Sequence, residues 1–271
     1  MTAFSTLNAL YDWLALGQWG FSPAAWAAFC LAVFLAGFSK AGMPGATIMV
    51  VPIMAMIVPP KISVGLILPI YMTGDLFSVL NYRRFAVKRC CFPYLLFVAL
   101  GVGCASFIAG AVDDRTFGVI IGGTIITLIL LSAGTDFVKH RLLKERDEAG
   151  MRPPGLRVSV PFGLAAGLFS ALANAAGPIT SIYVIVTRLD KYQMLGTFSV
   201  CSFFQNWFKV PLFLSLGMIT PGTLKLDLLA APMVVAGGVL GVMFARRVPQ
   251  ALFKNLVLLL AFVAAAKLVM N

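Results

Sequence analysis

A lysine, three glycines and a proline interrupt an apolar stretch early in the chain, in the sequence GFSKAGMPG at residues 37–45. A charged side chain at membrane depth costs at least about 2.5 kcal/mol and usually marks a substrate or ion pathway. Glycine permits unusual backbone dihedrals, and Pro44 suits the first turn of a helix that begins after the interruption. The alternative is that the flexible Lys40 side chain reaches the membrane surface. The interruption predicts an anion-binding break, with these candidate substrate-binding residues: Ser39, Lys40, Gly42, Gly45 and Thr47.

A second interruption, ANAAGPITS at residues 173–181, repeats this pattern in the other half of the chain. Gly177 and Pro178 stand at the head of the apolar segment that follows. Two helix N-termini directed into the protein would each offer free N–H groups and about half a positive charge to an anion. The alternative is that both interruptions are kinks used only for packing. The second set of candidate binding residues is Asn174, Gly177, Thr180, Ser181 and, further along the chain, Asn206.

Two charged residues lie within later apolar segments and are candidates for gating or coupling. Asp75, in YMTGDLFSVL, is the clearest intramembrane acid, and Asn206 occupies the corresponding place in the second half. Asp75 could carry a coupling proton or pair with Lys40, but a structural or gating role is favoured. Lys209, in NWFKVPLF, is assigned to gating or coupling, with anchoring at the membrane interface as the alternative.

The composition predicts a protein that crosses a membrane several times. Of the 271 residues, 60% are hydrophobic and only 11% are charged, whereas a soluble domain has roughly 25% charged residues. Several apolar runs approach the ~20 residues that cross a bilayer as a helix. Ten apolar segments are predicted, at residues 24–39, 46–58, 62–81, 92–111, 115–134, 158–173, 179–187, 192–212, 223–245 and 252–270.

The two halves of the chain share a pattern that predicts an internal duplication. Gly37 to Lys61 covers as many positions as Gly167 to Lys191. Each unit crosses the membrane an odd number of times, so two units in series must be inverted relative to each other, as in many secondary transporters. The predicted fold is therefore an all-α polytopic membrane protein with two inverted-topology repeats, each with a broken first helix pair. Its parts are an interfacial segment at 1–22, a first repeat at 23–134, a cytoplasmic hinge at 135–157 and a second repeat at 158–271.

The net charge of +11 is explained by orientation in the membrane rather than by nucleic-acid binding. Basic residues collect in cytoplasmic loops, and most of the Lys and Arg lie in four stretches, at 82–91, 135–157, 188–191 and 246–254. Placing these stretches in the cytoplasm puts both termini on the periplasmic side. The predicted partners are a small anion and the bilayer, and the sequence leaves a homodimer open.

Residues that support catalysis or a cofactor are scarce. The single histidine, His140, lies in the predicted hinge, so the sequence predicts neither a histidine-based catalytic triad nor a histidine-ligated metal in the membrane. No GxxxxGK[ST] motif for binding ATP occurs. Neither an enzyme nor a cofactor is therefore expected. The only candidates for a membrane sulfur relay are Cys90 and Cys91, beside a basic stretch.

Residues 24–270 resemble the sulfite exporter TauE/SafE family of bacterial membrane transporters. The resemblance is carried by GFSKAGMPG, GDL (74–76), YRR (82–84), GLFSALANAAGP, RLDK (188–191) and FFQNWFKVP (203–211). It implies export or import of sulfite or related organosulfur anions across the inner membrane, with the two breaks forming the substrate region. Relatives often have histidine where Asn174 stands, and this departure bears on which anion is carried. The expected function is secondary transport that exports sulfite or a sulfonate. The alternatives are an uncoupled channel and a sulfur-relay protein.

Overall fold

A computed structural model describes residues 19–41, 47–144, 154–187, 189–245 and 250–270. Within these ranges the chain forms ten α-helices and a short 3₁₀ turn, and no strand. In chain order they are α1 Pro23–Ala41, α2 Thr47–Ala55, α3 Pro60–Tyr82, the 3₁₀ turn Arg83–Phe85, α4 Lys88–Ala111, α5 Asp114–Lys144, α6 Leu156–Ala173, α7 Gly177–Val186, α8 Lys191–Ser215, α9 Pro221–Ala245 and α10 Gln250–Met270. Over the described residues, five helices contain a stretch long and apolar enough to cross a membrane. The predicted all-α polytopic membrane fold is confirmed.

Each predicted apolar segment coincides with one helix. The main difference is at α5, which continues to Lys144 and so enters the stretch 135–157 that was predicted to be a hinge. The sequence FVKHRLLK consists largely of good helix formers, which explains why the helix does not stop where the apolar residues end. Most of the predicted interfacial segment, residues 1–18, lies outside the described residues.

Local signals in the sequence set several helix starts. Proline occupies the first turn of α3 and of α7, where its missing N–H has no helical partner to lose. Asp190 caps α8, and its carboxylate accepts hydrogen bonds of 2.9 Å from the backbone N–H groups of Tyr192 and Gln193. The Gln193 side-chain oxygen accepts a hydrogen bond from the Asp190 N–H, which completes a capping box.

Glycines bring the backbones of α1 and α9, and of α6 and α4, into direct contact. A Cβ placed on Gly37 would lie 2.0 Å from the carbonyl oxygen of Val234, and one on Gly167 would lie 2.2 Å from that of Val98. Since a real Cβ cannot approach so closely, only glycine allows these helices to pack at this distance. Gly37 and Gly167 are the positions that the sequence pairs as equivalents in the two halves.

The main contacts between helices of the two halves occur in matching pairs. Besides α1 on α9 and α6 on α4, α2 contacts α10 while α7 contacts α5. The contacts α3 with α8 and α5 with α10 each pair a helix with its own counterpart in the other half. Exchanging the first five helices for the last five therefore reproduces most of the packing, which supports a duplication. The inverted orientation of the two halves in the membrane stays a prediction.

A buried carboxylate in α9 leads to a prediction about stability. Asp227 is only 8% exposed, and neither of its carboxylate oxygens has a hydrogen-bond partner among the described residues. An unsatisfied buried polar group costs about 1–3 kcal/mol. Asp227→Leu is therefore expected to raise the melting temperature of the purified protein by several degrees, at roughly 2–4 °C per kcal/mol. Asp190→Leu, which removes the α8 cap, should instead lower the melting temperature. A melting temperature of Asp227→Leu below that of the parent would contradict the prediction.

Candidate functional site

The two predicted breaks separate short helices from their longer neighbours. The helix α1 ends at Ala41 and α2 begins at Thr47, while α6 ends at Ala173 and α7 begins at Gly177. The helices after the breaks, α2 and α7, have 9 and 10 residues, too few to cross a bilayer. Their N-termini nearly touch, because a Cβ placed on Gly177 would lie 4.0 Å from the hydroxyl oxygen of Thr47.

Asn174 forms the turn at the second break and ties it to two other helices. Its backbone is left-handed, at φ 50°, a conformation that asparagine tolerates better than most residues. Its side-chain N–H donates a hydrogen bond of 2.7 Å to the carbonyl oxygen of Val64 in α3. Its side-chain oxygen accepts a hydrogen bond from the ammonium group of Lys209 in α8. The residue that ends α6 therefore fixes the positions of α3 and α8 beside the break.

A pocket of about 70 Å³ lies between the two breaks. One water needs about 10–15 Å³ of such space, so the pocket holds several waters or one small ion. Thr47 and Gly177, the first residues of α2 and α7, both line it. Among the described residues no charged side chain lines the pocket. The polar side chains that do are Ser39, Thr47, Tyr71, Ser170, Asn174, Thr180, Ser202, Gln205 and Asn206.

One face of α8 supplies three of these polar residues. Ser202, Gln205 and Asn206 are spaced three and four residues apart, which places them on the same side of a helix. The Gln205 side-chain N–H is 3.4 Å from the carbonyl oxygen of Ala166. Its amide oxygen is buried and has no hydrogen-bond partner among the described residues. The Gln205 side chain, which lines the pocket, therefore has an unused acceptor.

Two charged residues stand directly behind the lining residues. Asp75, 3% exposed, accepts a hydrogen bond of 2.9 Å from the Ser202 hydroxyl and another from the Asn206 side chain. Lys209, fully buried, donates to the side chain of Asn174 and lies 3.4 Å from the carbonyl oxygen of Ser170. The two asparagines stand between these charges and the pocket. The burial of Lys209 argues against its anchoring at the membrane interface.

Tyrosine hydroxyls form hydrogen bonds at the starts of both α2 and α7. The Tyr71 hydroxyl donates a hydrogen bond of 3.0 Å to the carbonyl oxygen of Thr47. The hydroxyls of Tyr94 and Thr180 lie 2.7 Å apart, and the Tyr94 ring stacks on that of Tyr183 at 4.4 Å between centroids. These contacts help to position α2 and α7.

The structure brings together most of the described residues that the sequence proposed. Six of them line the pocket: Ser39, Thr47, Asn174, Gly177, Thr180 and Asn206. Asp75 and Lys209 contact lining residues, whereas Ser181 is half-buried and is not part of the lining. Gly42, Gly45 and the Lys40 side chain lie outside the described residues. Substrate binding by these residues stays a prediction.

Four polar residues of the lining were not among those proposed from the sequence: Tyr71, Ser170, Ser202 and Gln205. For three of them, the helical spacing in the sequence could have indicated a place in the lining. Tyr71 precedes Asp75 by one helical turn, and Ser202 and Gln205 share the helical face of Asn206. Ser170 gives no such signal, since its place depends on how α6 is rotated against α8.

Comparison with known proteins gives one match. The family model described as "Sulfite exporter TauE/SafE" matches residues 29–268, nearly the whole chain. No curated protein and no solved structure matches the chain. The family match confirms the resemblance that the sequence motifs indicated.

Proposed function

Because the chain belongs to the TauE/SafE family of sulfite exporters, a family of membrane transporters, we propose that it carries a small sulfur-containing anion through the pocket between its two breaks. Sulfite or an organosulfonate is the substrate, and the direction is outward across a bacterial inner membrane. Both termini face the periplasm, since this orientation leaves the basic loops in the cytoplasm.

The observation that carries this proposal is the approach of Gly177 to Thr47. It brings two helix N-termini to one small pocket, and each N-terminus supplies N–H groups and a partial positive charge. An anion can thus bind there although none of the described lining residues carries a charge. The unpartnered oxygen of Gln205 adds an acceptor for a protonated oxyanion such as bisulfite.

The charges behind the lining act on the anion through the two asparagines. Lys209 contributes positive potential on the Asn174 side, and Asp75 orients the Asn206 amide through its hydrogen bond. The Ser202 hydroxyl is held by Asp75 in the same way. We assign Asp75 to positioning or gating and Lys209 to charge complementation.

Transport follows from movement of one half against the other. The pocket receives residues from α1, α2 and α3 of the first half and from α6, α7 and α8 of the second. Rocking of the halves would therefore open it alternately to the two sides of the membrane. A coupled transporter of this kind saturates and exchanges substrate, whereas an open pore does neither.

Counterflow of radiolabelled sulfite in proteoliposomes tests the proposal. Vesicles loaded with unlabelled sulfite should accumulate label transiently, and flux should saturate with concentration. Sulfate and acetate at the same concentration serve as competitors that define the substrate class. Flux that stays linear and shows no counterflow would favour an uncoupled channel.

Filling the space between the helix starts should stop transport without unfolding the protein. Gly177→Val adds an isopropyl group beside Thr47, where a Cβ meets only an ordinary contact at 4.0 Å. We expect sulfite counterflow to fall at least tenfold, with a melting temperature close to that of the parent. The matched control is Gly155→Val, at a position where a Cβ meets nothing within 4 Å. Equal counterflow in the two variants would argue against a substrate site between the helix starts.

A further inference from the structure

A groove between α4 and α8 lies outside the site described above. Its volume is about 610 Å³, and its walls are apolar over most of their length. On α4 it is lined by Phe92, Leu95, Leu96 and Ala99, whose spacing places them on one helical face. Phe92 is 75% exposed, so this face of the helix has no protein cover among the described residues.

The α8 wall of the groove is apolar as well. Val200, Phe204 and Phe208 follow one another at four-residue intervals along one face of the helix. From Lys88 to Ala99 the groove extends along about 17 Å of α4, at 1.5 Å per residue. That length matches one leaflet of the ~30 Å hydrocarbon core. The groove is thus about as long as one acyl chain of a phospholipid.

Positive charge is concentrated at one end of the groove. Arg83 and Lys88 line this end, and Arg84 and Arg89 are their chain neighbours. The end also holds the N-terminus of α4, whose first turn has no acidic residue and whose N-cap makes no side-chain hydrogen bond. Cations at a helix N-terminus are unfavourable, and an anion placed there relieves the repulsion.

Asp190, an acidic residue just before the start of α8, already has hydrogen-bond partners. Its carboxylate accepts bonds from the first turn of α8. The Arg84 guanidinium lies 4.7 Å from the centre of the Phe85 ring, and this ring also contacts the ring of Tyr192. Among the described residues, Arg83 and Lys88 are the charged side chains that line the groove.

We propose that the α4–α8 groove binds one anionic diacyl phospholipid, with its phosphate at Arg83 and Lys88 and an acyl chain along the apolar walls. A soluble phosphate would use the cations but not the long apolar groove. A zwitterionic lipid would fill the groove but would gain less from the two cations. Because α4 belongs to the first half and α8 to the second, the lipid contacts both halves of the protein.

Native mass spectrometry of the full chain in detergent tests this assignment. Phosphatidylglycerol and phosphatidylcholine with identical acyl chains are titrated, and bound lipid is counted. We expect phosphatidylglycerol to bind about 30-fold more tightly, which corresponds to about 1 kcal/mol for each of two cations. In Arg83→Gln/Lys88→Gln the preference should disappear, while binding of phosphatidylcholine stays as in the parent.

Three further measurements separate the competing explanations. The control Arg157→Gln/Lys267→Gln removes the same charge away from the groove and should keep the preference. Ala99→Trp fills the groove and should weaken the binding of both lipids. Glycerol 3-phosphate, which has no acyl chains, should not displace phosphatidylglycerol. Equal binding of the two lipids by the parent, loss of preference in the control, or displacement by glycerol 3-phosphate would each overturn the proposal.

Discussion

Replacing Lys209 with methionine is expected to weaken sulfite binding about 100-fold and to abolish counterflow. The ammonium group is fully buried beside the pocket and is held by Asn174 and Ser170. Methionine has a similar length and no charge, so the positive potential behind Asn174 is removed. A 100-fold loss corresponds to about 3 kcal/mol, within the range for breaking a buried, hydrogen-bonded charge interaction.

Stability should not fall in parallel, and this distinguishes a binding role from a structural one. Removing the buried charge removes its desolvation penalty, and this offsets the loss of the hydrogen bonds to Asn174 and Ser170. The melting temperature of Lys209→Met should therefore stay close to that of the parent. The measurements are sulfite affinity by calorimetry, counterflow in proteoliposomes and thermal unfolding. Lys267→Met, on an exposed part of α10, is the control and should behave like the parent. Unchanged affinity in Lys209→Met would remove Lys209 from the proposed mechanism.

Adding a single methyl group at Gly101 is expected to destabilise the protein by about 3 kcal/mol. A Cβ at this position would lie 2.3 Å from the carbonyl oxygen of Leu164, so α4 and α6 must separate along their contact. Overpacking of this kind costs about 1–3 kcal/mol, and more where the obstacle is backbone. Gly237→Ala should cost about the same, because its Cβ would lie 2.3 Å from the carbonyl oxygen of Phe34.

The control for Gly101→Ala is two residues further along the same helix. A Cβ on Gly103 meets nothing within 4 Å, and alanine favours a helix over glycine by about 1 kcal/mol. Gly103→Ala should therefore be as stable as the parent or more so. Melting temperatures in detergent provide the comparison, with a drop of roughly 6–12 °C expected for Gly101→Ala. If Gly101→Ala and Gly103→Ala unfold at the same temperature, the proposed backbone contact between α4 and α6 is wrong.

The sequence alone predicted the helices and the places where they break. Runs of apolar residues and clusters of glycine and proline are local signals, so the ten segments and both interruptions could be located without tertiary contacts. The equal spacing of Gly37 and Gly167 from their downstream lysines also indicated the duplication that the helix packing supports. Five of the six proposed residues that line the pocket were found for the same reason, since they lie in or beside the breaks. The sixth, Asn206, was proposed because it occupies the place in the second half that corresponds to Asp75.

Only the tertiary structure decided which side chains face the pocket and which charges stand behind it. Lys209 could be assigned to the interface or to the interior from sequence, and its burial depends on how α8 is rotated against α6. Asn174 contacts Val64, 110 positions earlier in the chain, and no local pattern predicts such a contact. The physical reason is that apolar length and helix breakers act over a few residues. The rotation and pairing of helices depend instead on packing between segments far apart in the sequence.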